Sequence, residues 1–139
     1  MSRPVVIVDT NVVVAGLLTA DDTSPVARVL DGMLAAAFPF ALSEALLAEY
    51  RAVLLRPRLK KLHGLSVADI ESLLTDLAQH AIVLTPGAAP AAPDPGDQFL
   101  WDLLAAKEAL VLVTGDKLLL REPAMRGRVV SPADFLAGG

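Results

Sequence analysis

The chain has 139 residues, no cysteine, a formal net charge of −4 at pH 7, and 54% hydrophobic residues. Without cysteine it has neither disulfides nor thiolate chemistry, which fits a reducing cytosol or simple disuse of cysteine. The acidic balance argues against a surface coated in basic residues for non-specific binding of nucleic acid. The length predicts one domain over residues 1–139, large enough to bury a core without covalent cross-links.

The first residues, MSRPVVIVDT, contain no long apolar run behind a basic head, so we expect no signal peptide. No stretch of about 18 apolar residues is free of charge and proline, so we expect no membrane partner. Together these features predict a cytoplasmic protein.

Apolar segments and helical patterns alternate along the chain. In order, the sequence predicts a strand at 5–9, a helix at 23–38, a strand at 38–43, helices at 43–55 and 66–81, a strand at 82–85, a loop with four prolines at 86–96, a helix at 94–109, a strand at 110–116, and a last strand and helical turn within 128–139. Helix starts are marked by Ser24 with Pro25, Ser43, Ser66 with Asp69, Asp94 with Pro95, and Ser131 with Pro132. The alternation predicts an α/β fold with a parallel sheet covered on both faces.

Two aspartates follow predicted strands. Asp9 closes the first strand, and Asp116 lies just past the strand LVLV. Because ligands bind outside the carboxyl ends of parallel strands, both side chains are expected at one edge of the sheet. The structural alternatives are a helix cap for Asp9 and a turn residue for Asp116.

Glu49 is predicted to point along the packed face of the helix 43–55. The apolar stripe of that helix runs through Ala45, Leu46, Ala52 and Val53, each three or four residues from Glu49. An ionised carboxylate on such a face requires a cationic partner, a shifted pKa or a metal ion. A half-exposed position at the edge of the face is the alternative.

Asp94 and Asp97 lie at the start of the helix 94–109. Acids there also complement the helix dipole, which is their structural alternative. That helix leads into the strand carrying Asp116, so its first turn is expected near the same sheet edge, with Asp97 approaching Asp9.

Converging carboxylates repel one another unless cations lie between them, and oxygen ligands suit Mg²⁺ or Mn²⁺. A site of this kind favours hydrolysis of phosphodiester bonds. The two histidines, His63 and His80, lie far apart in the sequence, so we expect no zinc site.

Five segments together resemble the PIN-domain family, and within it the branch described as toxins of toxin–antitoxin systems. They are VVIVDTNVVVAGL, LLAEYRAVL, DPGDQFLWDLLAA, LVTGDKLLL and VVSPADFLA, in this order along almost the whole chain. The resemblance implies a compact three-layer α/β/α sandwich with a parallel, roughly five-stranded sheet. It also implies a metal-dependent endoribonuclease that hydrolyses single-stranded RNA, with a cognate antitoxin and a homodimer as partners.

The resemblance also assigns roles to residues. It implies that Asp9, Glu49, Asp97 and Asp116 are the catalytic and metal-binding acids, and that Asn11 and Thr114 support the first and last of them. Asp94 is a further candidate for a supporting residue. Two positions depart from the branch, which often has acids where this chain has Gln98 and Leu118. These departures leave open a weakly active or inactive PIN-like module that binds RNA or protein.

The segment RAVLLRPRLKK, residues 51–61, contains five of the twelve basic residues. Arg51, Arg56, Arg58, Lys60 and Lys61 are therefore candidates for contacting an RNA backbone, with a solvated helix end as the alternative. Trp101 and Tyr50 are candidates for base stacking, although both also fit a core. A receiver-type signalling domain is a further hypothesis, but neither FAL nor IVLT ends in the aspartate that this class requires.

Overall fold

The computed structural model describes residues 4–123 and 127–138. The strands are β1 (Val6–Val8), β2 (Ala41–Leu42), β3 (Ile82–Val83), β4 (Val111–Val113) and β5 (Val129–Val130). The helices are α1 (Thr10–Leu18), α2 (Pro25–Leu34), α3 (Glu44–Leu54), α4 (Pro57–His63), α5 (Val67–His80), α6 (Gln98–Leu104), α7 (Lys117–Leu120) and α8 (Pro132–Leu136), and a 3₁₀ turn (Pro95–Asp97) precedes α6.

All the strand pairs are parallel. β1 pairs with β4, β4 with β5, and β2 with β3, and a parallel bridge between Val6 and Phe40 joins the two sets. The strands therefore lie side by side in the order β3–β2–β1–β4–β5, and the helices and parallel sheet fit the predicted three-layer α/β/α sandwich. The chain builds outward from β1 in one direction and then returns to the other side of β1. In open α/β sheets, such a reversal point is where ligands bind.

The centre of the sheet is the core of the molecule. Val6, Ile7 and Val8 of β1, and Leu112 and Val113 of β4, are almost completely buried. Parallel strands covered by helices on both faces require such continuous apolar runs. The edge strand β3 differs, since Ile82 is 42% and Val83 67% exposed.

The predicted helix starts are confirmed. The side chains of Ser24, Ser43 and Ser131 each accept a backbone hydrogen bond from the first turn of their helix, and Ser66 and Asp69 form a reciprocal capping box. The Asp94 side chain accepts from the Gly96 backbone N–H and caps the 3₁₀ turn. Local sequence therefore determines where these helices begin.

Two helices end earlier than predicted. The helix predicted over 23–38 ends at Leu34, because Ala36 adopts a left-handed conformation (φ 52°) and the Ala37 N–H donates to the Gly32 carbonyl. The helix predicted over 94–109 ends at Leu104, where the Arg128 guanidinium donates to the carbonyls of Leu104 at 2.6 Å and Lys107 at 2.8 Å. The second ending depends on a residue distant in the sequence.

Three helices were not predicted: α1, α4 and α7. The sequence of α1, TNVVVAGLL, is apolar on nearly every side, so it has no helical periodicity to detect. The signals of α4 were present, since Pro57 occupies its first turn and Gly64 ends it at φ 68°. Among residues 4–123 and 127–138, no helix has the length and apolar character needed to cross a membrane.

Candidate active site

Four carboxylates from four separate segments line one cavity of about 480 Å³. They are Asp9 after β1, Glu49 in α3, Asp97 before α6, and Asp116 after β4. Thr10, Asn11, Val14, Ala15, Leu18 and Val53 complete its lining. Because β1 and β4 are the strands between which the chain reverses, the cavity lies where the topology predicts a ligand site.

Asp9 is held in place by the side chains of Asn11 in α1 and Thr114 just after β4. It occupies the N-cap position of α1, but its side chain forms no capping hydrogen bond, so the helix-cap alternative is not what the structure shows. Thr114 Oγ1 donates to Asp9 Oδ2 at 2.8 Å, and Asn11 Nδ2 donates to the same oxygen at 3.2 Å. Asp9 is 7% exposed, and these two donors, together with a hydrogen bond from the Thr10 backbone, orient its carboxylate.

Asn11 and Thr114 also connect Asp9 to the turn that carries Asp116. The Gly115 N–H donates to Asn11 Oδ1 at 3.2 Å, and the Asp116 N–H donates to Thr114 Oγ1 at 3.0 Å. Asp116 Oδ1 accepts from the Leu118 N–H at 2.9 Å and so caps α7 as well. The two residues expected to support the acids therefore link the carboxyl ends of β1 and β4.

Glu49 lies at the edge of the packed face of α3, not at its centre. The buried residues of α3 are Leu46, Tyr50, Val53 and Leu54. Ala45 and Ala52, which were predicted on this stripe, are exposed, and Glu49 is half-buried. The half-exposed alternative therefore describes Glu49, which still reaches the cavity.

Tyr50 is a positioning residue that the sequence did not identify. It is fully buried, and its hydroxyl donates to the Val8 carbonyl. Burial and the nearby charge of Asp9 raise the Tyr50 pKa, so the hydroxyl stays protonated and remains a donor. This bond ties the helix carrying Glu49 to the strand end that carries Asp9. Trp101 is also fully buried, so the suggestion that these two aromatics stack on bases is wrong.

The adjacent side chains of Asp97 and Gln98 lie in different surroundings. Asp97 is the N-cap of α6, forms no capping hydrogen bond with its side chain, and lines the cavity. The Gln98 amide instead donates to Pro90 O at 3.0 Å and Asp102 Oδ1 at 3.1 Å, and accepts from the Ala92 N–H at 2.9 Å. Gln98 thus anchors the proline-containing loop, and of this adjacent pair it is Asp97 that reaches the cavity. Asp94 caps the 3₁₀ turn and does not line the cavity.

Crowding of carboxylates shifts the ionisation of the site. Partial burial, followed by the charges of Asp9, Asp116, Asp94 and Glu49, raises the pKa of Asp97 to about 6. Burial, followed by the charges of Asp116 and Glu49, raises the pKa of Asp9, and hydrogen bonds from Thr114 and the Thr10 backbone partly oppose this. Excess negative charge in the cavity is therefore relieved either by protons or by a cation.

The donor chemistry of the cavity fits Mg²⁺ or Mn²⁺, because all its ionisable ligands are carboxylates. Within residues 4–123 and 127–138, however, no three acidic or histidine side chains stand close enough to hold an ion together. Mg²⁺ commonly takes one or two carboxylates and keeps several waters, so the arrangement remains compatible with it. The Nδ1 atom of His63 accepts from the Leu65 N–H, and neither His63 nor His80 lines the cavity.

The five basic candidates separate into two groups. Arg51 forms a bidentate ion pair with Glu71, with nitrogen–oxygen distances of 2.9 and 3.0 Å. Arg56, Arg58, Lys60 and Lys61 belong to α4 or its N-cap and make no ion pair within the described part of the chain. Because α4 packs against α1, whose side chains line the cavity, these four lie on an element next to the site.

Comparison with known proteins agrees with this geometry. The sequence profile of a family described as PIN domain matches residues 5–118, and no curated protein matches the chain. The matched range contains all four carboxylates together with Asn11 and Thr114. The PIN domain is a nuclease-type fold, which agrees with an acidic cavity at the carboxyl edge of a parallel sheet. The chain belongs to the PIN domain family.

Proposed function

We propose that this protein is a metal-dependent endoribonuclease that hydrolyses phosphodiester bonds of single-stranded RNA. The observation that carries the proposal is the meeting of Asp9, Glu49, Asp97 and Asp116 in one cavity at the reversal point of the sheet. PIN domains are generally nucleases, and the family suggests binding of nucleic acid. A cluster of carboxylates that raises the pKa of its own members is suited to dications rather than to a structural role.

Each residue of the acidic cavity has a separate proposed role. Asp9 and Asp116 would hold Mg²⁺ or Mn²⁺, with Glu49 and Asp97 completing the acidic set. When bound, the ion would supply Lewis acidity and neutralise the charge that develops on the phosphate. Asn11 and Thr114 keep Asp9 in one orientation.

The basic residues of α4 and its N-cap would contact the substrate backbone. Arg56, Arg58, Lys60 and Lys61 would attract phosphates flanking the cut, since α4 lies against α1. Arg51 would contribute only after giving up its ion pair with Glu71.

A second candidate is a PIN-like module that binds RNA or protein without cutting it. Two observations favour it: no three ligands are preassembled in the described residues, and Gln98 serves the proline loop instead of the cavity. Titration with Mn²⁺ in a calorimeter separates the candidates. Absence of binding at millimolar Mn²⁺ favours the module.

The test of the proposed function is cleavage of a mixed-sequence RNA pool by the purified protein in Mg²⁺ or Mn²⁺. We expect no cleavage in chelator, and a loss of at least about 100-fold in Asp9→Asn, since a metal ligand is removed. Asp76→Asn is the matched control, because Asp76 is an exposed acid on α5 away from the cavity. Undiminished cleavage by Asp9→Asn, or in chelator, removes the proposal.

We further propose that the protein is the toxin of a toxin–antitoxin pair and acts as a homodimer in the cytoplasm, on the strength of the five ordered motifs. Expression alone should arrest growth of a bacterial host, and co-expression of the adjacent small reading frame should restore it. Growth without arrest by a protein that cleaves RNA in vitro would remove the toxin role but not the nuclease. Sedimentation of the purified protein tests the dimer.

A further inference from the structure

The cavity has an apolar wall that the proposed roles leave unused. The wall consists of Val14, Ala15 and Leu18 of α1 and Val53 of α3. Val14, Ala15 and Leu18 are half-buried, so their side chains remain accessible from the cavity. None of the four carries a polar side-chain atom, and a wall of this kind contributes nothing to binding a metal or a phosphate.

The cavity is also larger than a metal ion requires. An ion with six waters, each taking about 30 Å³ of liquid, fills roughly 200 Å³. The cavity measures about 480 Å³, so a part of the substrate beyond the phosphate fits beside the ion.

Charge restricts what that part can be. The carboxylates repel further anionic groups, and the basic residues of α4 lie on the neighbouring helix, where phosphates are favoured. An uncharged wall without hydrogen-bonding side chains suits a neutral group with an apolar face. Next to a phosphate of RNA, that group is a nucleobase.

We propose that the apolar wall is a subsite for one unstacked nucleobase next to the phosphodiester that is cut. This inference rests on the proposed function and specifies its substrate. Bases of a duplex are stacked inside the helix and cannot reach a wall beside the backbone, so the wall admits only unpaired RNA. Because it offers no donor or acceptor, the wall recognises the presence and size of a base rather than its identity.

The test compares two probes of equal charge: a mixed-sequence RNA of ten nucleotides, and a ribose–phosphate chain of the same length without bases. Binding of each to the full-length protein is measured by fluorescence anisotropy, with Ca²⁺ in place of Mg²⁺ so that binding is measured without turnover. We expect the base-bearing chain to bind about tenfold more tightly, since one apolar face is removed from water.

The variants Val14→Thr and Leu18→Ala should each reduce that ratio by about threefold or more, without changing affinity for the base-free chain. Val67→Thr is the matched control, because Val67 is 49% exposed on α5 and lies outside the cavity. Circular dichroism checks that each variant is folded. Val14→Thr preserves the volume of the side chain whereas Leu18→Ala reduces it, so we do not expect both variants to unfold.

Equal affinity of the wild-type protein for the two chains overturns the subsite, and so does absence of binding to either. A wall variant that weakens both chains equally also overturns it, because the wall then acts through the fold. Base-dependent binding without cleavage of any RNA in Mg²⁺ or Mn²⁺ rejects the proposed function and leaves only a wall that binds a base without serving cleavage. Cleavage of RNA together with equal affinity for the two chains rejects the subsite and supports the proposed function.

Discussion

The two halves of the acidic cavity are built differently. In the half at the strand ends, Asp9 and Asp116 are connected through Thr114, Asn11 and the Gly115 backbone by hydrogen bonds of 2.8 to 3.4 Å. In the half at the helices, the carboxylates of Glu49 and Asp97 make no hydrogen bond within residues 4–123 and 127–138, and both are half-buried.

This difference indicates a division between a preorganised half and an adjustable half. Hydrogen-bonded ligands keep their orientation before an ion arrives, whereas free carboxylates are able to move toward one. The absence of three preassembled ligands in the described residues agrees with such a division. Substitutions in either half should therefore have different consequences for cleavage and for stability.

Thr114→Val removes hydrogen bonds from the preorganised half. Valine keeps the shape of threonine but removes the donor to Asp9 Oδ2 and the acceptor of the Asp116 N–H. We expect RNA cleavage to fall about 10- to 100-fold and the free energy of unfolding to fall by about 1–3 kcal/mol. Initial rates and urea denaturation measure the two effects.

The matched control is Thr75→Val on the exposed face of α5, where the hydroxyl donates only to the Glu71 carbonyl. This variant should retain wild-type cleavage. If Thr114→Val also retains it, the hydrogen-bonded half is not needed for activity and the comparison fails.

Gln98→Glu tests whether position 98 belongs to the adjustable half. Glutamate would lose the donation to Pro90 O and would place a second carboxylate where Gln98 Nε2 now lies 3.1 Å from Asp102 Oδ1. We expect a loss of about 1–2 kcal/mol in the free energy of unfolding and no gain in cleavage. Gln79→Glu, an exposed control on α5, should change stability by less than about 0.5 kcal/mol. Faster cleavage by Gln98→Glu without destabilisation would place position 98 in the metal site.

Asp97→Asn should stabilise the metal-free protein near neutral pH. The folded-state pKa of Asp97, about 6, lies above its ordinary value of 3.8, so folding disfavours the ionised form. The resulting destabilisation is absent below pH 3.8, grows as pH rises toward 6, and is complete above 6. Asparagine removes it, and the gain at pH 7.5 should be at most about 1 kcal/mol, because solvent screens a half-exposed group.

Thermal unfolding at pH 4 and pH 7.5, with and without Mn²⁺, measures this effect. The melting temperature of Asp97→Asn should exceed that of the wild type at pH 7.5 without metal and match it at pH 4. With Mn²⁺ the wild type should gain more than the variant. A variant that is less stable at pH 7.5 without metal would show that Asp97 is not under electrostatic strain.

Ala36→Gly lies outside both halves and has the smallest expected effect. Ala36 ends α2 with φ 52°, a conformation that an L-residue adopts at a cost and glycine adopts freely. We expect a gain of about 0.5 kcal/mol in the free energy of unfolding and unchanged RNA cleavage. A change in cleavage would mean that activity follows global stability, which would weaken the interpretation of the larger effects.

Local and periodic features of the fold were predictable from the order of the residues. Serine caps at Ser24, Ser43 and Ser66 act within one helical turn, and the β-branched runs of β1 and β4 suit strands buried on both faces. The alternation of these elements with helices predicted the parallel sheet. Because Asp9 and Asp116 follow strands, their location at one sheet edge was also predictable from order alone.

Features that depend on contacts between distant segments became visible only in the folded chain. Arg128 meets the end of α6 through the carbonyls of Leu104 and Lys107, 24 and 21 residues away. Tyr50 reaches Val8, and Gln98 turns to the proline loop rather than to the cavity. The position of Glu49 at the edge of the packed face of α3 is also a tertiary result, since helical periodicity predicted it along that face and left the edge as an alternative. Helix caps and apolar periodicity depend on residues that are close in the sequence. A hydrogen bond across the fold forms only after folding has brought its donor and acceptor together.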